Sequence, residues 1–180
     1  MELNSIAAIY AANDRHREHL LETLSQVAPG EQTARPGDEK WSIQEIVEHV
    51  SLVGSGVARI CAKLLDEARA AGLRGDGSFA LPSSFSEKAA EIADMKVEAP
   101  ERVQPTGEVS IDESLRRLES SRELIRMMQG DLAAHDLSAH KFPHPFFGPL
   151  TAAEWLVMLG AHEARHTKQI ERLLTALRSS

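Results

Sequence analysis

Four long segments of this chain place apolar residues at helical spacings of three and four, and almost nothing alternates with the period of two typical of a strand. An amphipathic helix has to bury its apolar stripe, and four such helices can do so against one another. The sequence therefore predicts an all-α fold, a four-helix bundle. The segments run from about Asn4 to Val27, from Ser42 to about Gly72, from Ser110 to about Ala134, and from Thr151 nearly to the C-terminus.

Three of these segments open with a capping box, in which a serine or threonine precedes a glutamate by three residues. The hydroxyl accepts a hydrogen bond from the glutamate's backbone N–H, and the glutamate side chain accepts one in return, so the pattern marks a helix start. The pairs are Ser42 with Glu45, Ser110 with Glu113, and Thr151 with Glu154.

A long connection, from about Gly72 to Ser110, separates the second helix from the third and is rich in Gly, Pro and Ser. A segment of nearly forty residues can run the length of a bundle, which allows the second and third helices to be parallel. Within it, "SEKAAEIADM" (86–95) predicts one short extra helix.

Composition limits the location and the partners of the protein. A chain of 180 residues can bury one core, so we expect a single domain over 1–180. The N-terminus lacks the features of a secretory signal, and no apolar run could span a bilayer, so we expect a cytoplasmic protein without membrane contact. A single cysteine, Cys61, excludes an internal disulfide. The net charge of −7 offers no basic face for nucleic acid, so small-molecule partners are expected instead.

Two histidines occupy positions in the last helix where the apolar pattern calls for leucine. A buried imidazole without a partner costs about 1–3 kcal/mol, so two of them one turn apart need a common explanation. Side chains at i and i+4 lie about 6 Å apart at Cβ, close enough for both rings to bind one metal ion. Hydrogen bonding to neighbouring side chains, or a wet pocket, is the alternative. The predicted stripe is Trp155, Leu159, His162, His166, Ile170, Leu173 and Leu177.

The string His162-Glu163-Ala164-Arg165-His166 also fits H-E-x-x-H, the pattern of zinc proteases. Such proteases take a third ligand from downstream, but the position six residues after His166 is Arg172, and Glu171 lies about 180° around the helix from His162. No strand is available to hold an extended peptide. A protease is therefore not expected. We expect Glu163 to be solvated or to contact a metal-binding side chain, rather than to act as a base.

The third ligand must then come from upstream, and His49 is the best candidate. It follows Ile46 by three residues and precedes Val53 by four, so it flanks the apolar stripe of the second helix. Three histidines from two helices would leave coordination positions open, which is typical of a reactive metal site. Imidazole ligands are compatible with Zn, Ni, Fe or Co.

Three further stretches make the chain resemble a known family. "KWSIQEIVEHVSLV" (40–53), "ERVQPTGEVS" (101–110) and "HPFFGPLTAAEWLVMLGAHEARHTKQI" (144–170) are similar to the DinB/YfiT-like superfamily. The resemblance implies an up-down-down-up bundle and a divalent ion bound by His49, His162 and His166. It further implies homodimers, and relatives that transfer or isomerise with a low-molecular-weight thiol such as bacillithiol or mycothiol.

The chemistry of an open metal position agrees with a thiol-dependent S-transferase or isomerase, because a coordinated thiol loses its proton and the thiolate is the nucleophile. A bound water could equally serve a hydrolase. A non-catalytic metal-binding or sensing bundle, or a bundle that has lost its metal, remain alternatives. A thiol that carries carboxylates would need arginines near the site, and the candidates are Arg17, Arg59, Arg122 and Arg165.

Several other residues give weaker evidence of a functional role. Cys61 lies on the apolar stripe of the second helix and is expected to pack in the core. His135, His140 and His144 could form a second metal site, but their irregular spacing favours surface residues; His144 leads into the metal helix and could border the pocket. Gln169 follows His166 by three residues, on the metal side of the helix, and could contact a metal-binding histidine.

Overall fold

The computed structural model describes residues 3–93 and 98–179. The described residues form five α-helices, two short 3-10 turns and one hairpin of two short antiparallel strands. The helices are α1 (Ile6–Ser25), α2 (Ile43–Ala71), α3 (Ser83–Ala93), α4 (Ile111–Ala134) and α5 (Ala152–Arg178); the strands are β1 (Phe142–His144) and β2 (Gly148–Leu150); the 3-10 turns are Pro29–Glu31 and Glu101–Val103.

Helices α1 and α5 run parallel, as the order of their contacts shows. Asn13 of α1 donates to the Leu156 carbonyl, Arg17 pairs with Glu163, and the Gln26 carbonyl after α1 accepts from Arg178. The contacts therefore advance in the same direction along both helices.

Helix α2 runs antiparallel to α5 and parallel to α4. His49, near the start of α2, contacts His162 near the middle of α5, whereas Cys61 contacts the first residue of α5, Ala152. Toward α4, the Ser55 and Ser121 hydroxyls are 3.0 Å apart, and Arg69 farther along α2 pairs with Asp131 farther along α4, so these contacts advance in the same direction. Together with the parallel α1 and α5, these contacts define an up-down-down-up four-helix bundle, which confirms the predicted fold class.

Two of the three predicted capping boxes form completely, at Ser42 and at Thr151. Ser110 accepts a hydrogen bond from the Glu113 N–H, but the Glu113 side chain binds Arg116 instead of returning to the cap. The helix start is correct there, while the reciprocal half of the box is replaced by an ion pair within α4.

The long connection runs along the bundle, from Gly75 beside the end of α4 to Thr106 beside the start of α2. It contains the short helix α3, which begins three residues before the predicted start at Ser86. The last two residues of that prediction, 94–95, lie outside the described residues. At Gly75 the connection passes so close to the end of α4 that an added Cβ would lie 2.4 Å from the His135 carbonyl oxygen. A side chain at this position would push the connection off the bundle.

Within the described ranges, no helix combines the length and the apolar character that a membrane crossing requires.

A buried ion pair joins α1 to α5. The Arg17 guanidinium donates two hydrogen bonds to the Glu163 carboxylate, one of them 2.9 Å long, and both side chains are less than a tenth exposed. Of the two alternatives expected for Glu163, solvation is therefore wrong. Successive helix residues point about 100° apart, so Glu163 faces α1 while its neighbour His162 faces α2.

Removing one member of this pair should be costly, because the remaining charge would be buried without a partner. We expect Glu163→Ala to lower the free energy of unfolding by about 3 kcal/mol in urea titrations of the metal-free protein. The double variant Arg17→Met/Glu163→Leu should recover most of that loss, because it leaves no buried charge.

The matched control is Glu171→Ala on the same helix, whose partner His19 is half exposed. It should change stability by no more than about 0.5 kcal/mol. Equal losses for Glu163→Ala and Glu171→Ala would contradict the structural role of the buried pair.

Candidate metal centre

The three histidines predicted as metal ligands lie together where α2 and α5 cross. His49 is in the second turn of α2, and His162 and His166 are on adjacent turns of α5. Their ring centroids are separated by 4.4 to 5.0 Å, and one nitrogen from each ring lies within 4.8 Å of the others. His49 and His166 are buried, and His162 is partly exposed. The three rings could hold a metal ion.

Hydrogen bonds select which nitrogen two of these rings present. The His49 Nδ1–H donates to the Val103 carbonyl at 2.7 Å, and the His166 Nδ1–H donates to the Gln169 side-chain oxygen at 2.9 Å. Each ring therefore keeps a lone pair on Nε2. Gln169 thus contacts His166, as its spacing suggested, and it orients a candidate ligand.

The spacing between ring nitrogens fits a shared ion. The Nε2 atoms of His49 and His162 are 3.1 Å apart. Adjacent ligands bound at about 2.0 to 2.1 Å in octahedral or tetrahedral geometry are about 2.8 to 3.4 Å apart. The other nitrogen of His162, Nδ1, is buried without a hydrogen-bond partner among the described residues. His162 thus lacks the orienting contact that the other two rings have.

All three rings are neutral near pH 7, the state in which imidazole binds metals. Burial is the main cause and lowers the pKa of His49, His162 and His166, with that of His166 at about 3. Mutual repulsion among the rings and the positive charge of Arg165 lower the pKa of His162 further.

A buried carboxylate holds the loop that orients His49. Glu48 is 1% exposed and accepts three hydrogen bonds, from the N–H and the hydroxyl of Thr106 and from the Gly107 N–H, at 2.9 to 3.0 Å. This contact fixes the loop against α2, so that the Val103 carbonyl reaches His49. Glu48 was not predicted as a site residue, although it immediately precedes the candidate ligand His49.

His144 lies in the hairpin that borders the site. Its Nδ1 accepts hydrogen bonds from the Phe146 and Phe147 N–H groups at 3.2 and 3.3 Å, so its proton is on Nε2. The ring packs against Trp155 of α5, and burial lowers its pKa to about 4, with a contribution from Arg102. His144 is one of the residues that lower the pKa of His162. It therefore lies beside the cluster, as the sequence suggested.

The remaining histidine candidates lie elsewhere. His135 Nδ1 donates to the Asp131 carbonyl, and His140 is 3.7 Å from Glu67. Across residues 3–93 and 98–179, the one group of three or more His, Cys or acidic side chains close enough to share an ion is the cluster on α2 and α5. The suggested second metal site does not form.

Of the four arginines suggested by the sequence, one is beside the cluster. Arg17 binds Glu163, and Arg122 binds Asp14. Arg59 follows His49 by ten residues, about 15 Å along α2. Arg165, which immediately precedes His166, is close enough to lower the pKa of all three rings.

The fold and the site thus define an all-α bundle with three converging histidines, and comparison with known proteins gives the family. The sequence model of the DinB superfamily matches residues 12–170, so the chain belongs to the DinB superfamily. The uncharacterized protein YuaE of Bacillus subtilis (strain 168) is 25% identical over 143 residues, which cover 77% of this chain and 80% of YuaE.

Two solved structures are similar in fold. The crystal structure of TT2238, a four-helix bundle protein, has a TM-score of 0.62 and 22% identity, covering 93% of this chain and 99% of that one. An uncharacterised protein from Escherichia coli UTI89 has a TM-score of 0.59 and 15% identity, covering 96% and 94%. At these identities the likeness shows the bundle fold alone.

The Glu48 contact predicts the tautomer of His49. In Glu48→Ala the loop loses its anchor, so we expect the Nδ1–H tautomer of His49 to fall from nearly all molecules to a minority. Long-range ¹H–¹⁵N spectra of the imidazoles in the metal-free protein measure this directly. Glu101→Ala, an exposed residue of the same loop, should leave the tautomer unchanged; an unchanged tautomer in Glu48→Ala would remove the proposed role of Glu48.

Cys61 should be unreactive in the folded protein. It is fully buried, and burial raises the pKa of its thiol to about 12, which at pH 8 reduces the thiolate about a thousandfold relative to an ordinary cysteine. We expect a chromogenic disulfide reagent to modify it at the rate of unfolding, and at once in denaturant. Cys61→Ser gives the background, and rapid modification of the native protein would contradict this burial.

Proposed function

We propose that His49, His162 and His166 bind a divalent transition-metal ion, Zn, Ni or Fe, and that the protein is a metal-dependent enzyme acting with a low-molecular-weight thiol. The reaction would be an S-transfer or an isomerisation. The observation that carries this proposal is the convergence of three neutral imidazoles from two antiparallel helices, two of them with the tautomer already selected.

Three protein ligands would leave at least one coordination position for a small molecule. When bound, the ion supplies a Lewis acid that lowers the pKa of a thiol or of water at that position. The protein's own groups then determine which of the two is used.

Two features of the chain favour an external thiol. Cys61 is buried in the core with a raised pKa, so the protein cannot supply the thiolate itself. A hydrolase would profit from a carboxylate base beside the open position. The nearby buried carboxylates are already engaged, because Glu163 binds Arg17, Glu48 binds the loop and Glu45 binds Arg35.

The residues around the cluster have roles that follow from their contacts. Val103 and Gln169 hold two rings with Nε2 turned inward. His144 offers an Nε2–H at the edge of the site, and its depressed pKa keeps that donor neutral. It can donate a hydrogen bond to a bound substrate without repelling a cation.

Metal content tests the first part of the proposal. Protein purified without an affinity tag should contain close to one transition-metal ion per chain by elemental analysis. His49→Ala and His162→Ala should lose most of it, because two ligands hold an ion poorly. His140→Ala, whose ring lies near Glu67, should retain it.

Two results would overturn the metal site. One is a folded protein that contains no metal and takes up neither zinc nor nickel. The other is equal retention in His162→Ala and His140→Ala.

A further inference from the structure

We propose that a cavity between α1 and α4 is a second binding site, and that its ligand is a short aliphatic carboxylate. Residues of α1, α2, α4 and α5 line this cavity, and none of the three clustered histidines is among them. The inference goes beyond the proposed metal-dependent function and does not depend on it.

Two polar contacts cross the space between α1 and α4. The Tyr10 hydroxyl donates to the Ile125 carbonyl at 2.6 Å, and the Arg122 guanidinium donates to the Asp14 carboxylate at 3.0 Å. These four residues all line a partly open cavity of about 100 Å³. The two helices are therefore bridged by side chains around a space that reaches into the bundle.

The inner part of the cavity is apolar and receives one residue from each long helix. These residues are Tyr10 of α1, Gly54 of α2, Ile125 of α4 and Leu159 of α5. Ile125 and Leu159 are less than a tenth exposed, and Gly54 has no side chain to fill the space. An apolar cavity of about 150 Å³ is large enough to bind benzene. The smaller cavity here fits an aliphatic chain of about three carbons.

The charged residues that line the cavity leave an excess of positive charge. Three of them are arginines, Arg17, Arg122 and Arg126, and two are carboxylates, Asp14 and Glu163. Arg17 and Glu163 satisfy each other through two hydrogen bonds at the buried end. The excess of one positive charge favours an anionic ligand.

Three residues of α4 have donors left for that anion. Arg122 donates from Nε and from one Nη to the same oxygen of Asp14, and its other Nη is 3.7 Å from Glu119, beyond hydrogen-bond distance. Arg126 is exposed, Gln129 is half-buried, and neither side chain forms an ion pair or a hydrogen bond with a described residue. Their spacings of four and three place all three donors on one flank of α4.

These two parts define the chemistry of the ligand. A guanidinium presents a planar fork that matches a carboxylate, and the Gln129 amide adds a neutral donor. A short alkyl chain would enter between Ile125 and Leu159. An inorganic anion would leave the apolar part unfilled, and a hydrocarbon would leave the donors unused. A short aliphatic carboxylate uses both.

Butyrate and its neutral isostere butyramide test this inference. Each is titrated into ¹⁵N-labelled wild-type protein, and the backbone amide shifts are followed. We expect butyrate to bind with millimolar affinity, at least about tenfold more tightly than butyramide, which is about the contribution of one charge-assisted contact. The largest shifts should occur at Gly54, Ile125 and Leu159.

The length of the alkyl chain tests the size of the cavity. Each buried methylene contributes about fourfold in affinity, so binding should strengthen from acetate to butyrate. It should strengthen no further at octanoate, whose chain exceeds the cavity. A continued rise through octanoate would place the chain on an exposed apolar surface and would overturn the inference.

The variants assign binding to residues, and circular dichroism checks that each one is folded. Arg126→Ala, at an exposed position, should weaken butyrate several-fold and leave butyramide unchanged. Ser121→Leu, which fills the cavity from its wall, should lose both probes. Arg59→Ala removes an exposed arginine of α2 that does not line the cavity, and it should behave like the wild type. If Ser121→Leu does not fold, Arg126→Ala carries the test.

Carboxylates also bind metal ions, so the butyrate titration is repeated after treatment with a chelator. We expect the same affinity, because the cavity is not lined by the three histidines. Shifts concentrated at His49 and Val103 that vanish on chelation would place the anion at the cluster and overturn the inference. Equal binding of the two probes, or no binding at millimolar concentration, would overturn it as well. None of these results requires a metal, so a failure of the proposed function leaves the inference intact.

Discussion

The antiparallel packing of α2 against α5 is the contact on which the site depends. It places the second turn of one helix beside the middle of the other, so residues more than a hundred positions apart meet as three facing rings. The long connection makes this possible. Because it returns the chain along the length of the bundle, α4 lies parallel to α2, and α5 then enters in the opposite direction.

The free-energy cost of burying carboxylates near the site is offset by ion pairs and hydrogen bonds to other elements. Each buried carboxylate near the site binds a residue from another element: Glu163 reaches α1, and Glu48 reaches the loop after α3. These contacts keep the negative charges away from the histidines. The consequence is a cluster of three neutral imidazoles in an acidic protein, with the positive charge of Arg165 beside it.

Periodicity predicted the four helices, their starts and the two histidines on α5, because spacing along a helix is a local property of sequence. It also placed His49 on the correct flank of α2. It could not show that Glu163 faces α1, since spacing gives the angle between two side chains but not which neighbouring helix each one meets. Glu48 was missed for a related reason: its role arises from a loop whose path is set by contacts distant in sequence.

The site is formed by two long helices and one loop, which differ in how freely their sequences can change. The candidate ligands belong to long helices whose rotation is locked by core packing and by the Arg17–Glu163 pair. One wall, which includes Arg102 and Val103, belongs to a loop attached at Glu48. Substitutions in that wall can alter the shape and charge of the surface beside the histidines while the histidine geometry stays intact. Laboratory evolution of new specificity would therefore begin by randomising the loop and leaving the helices unchanged.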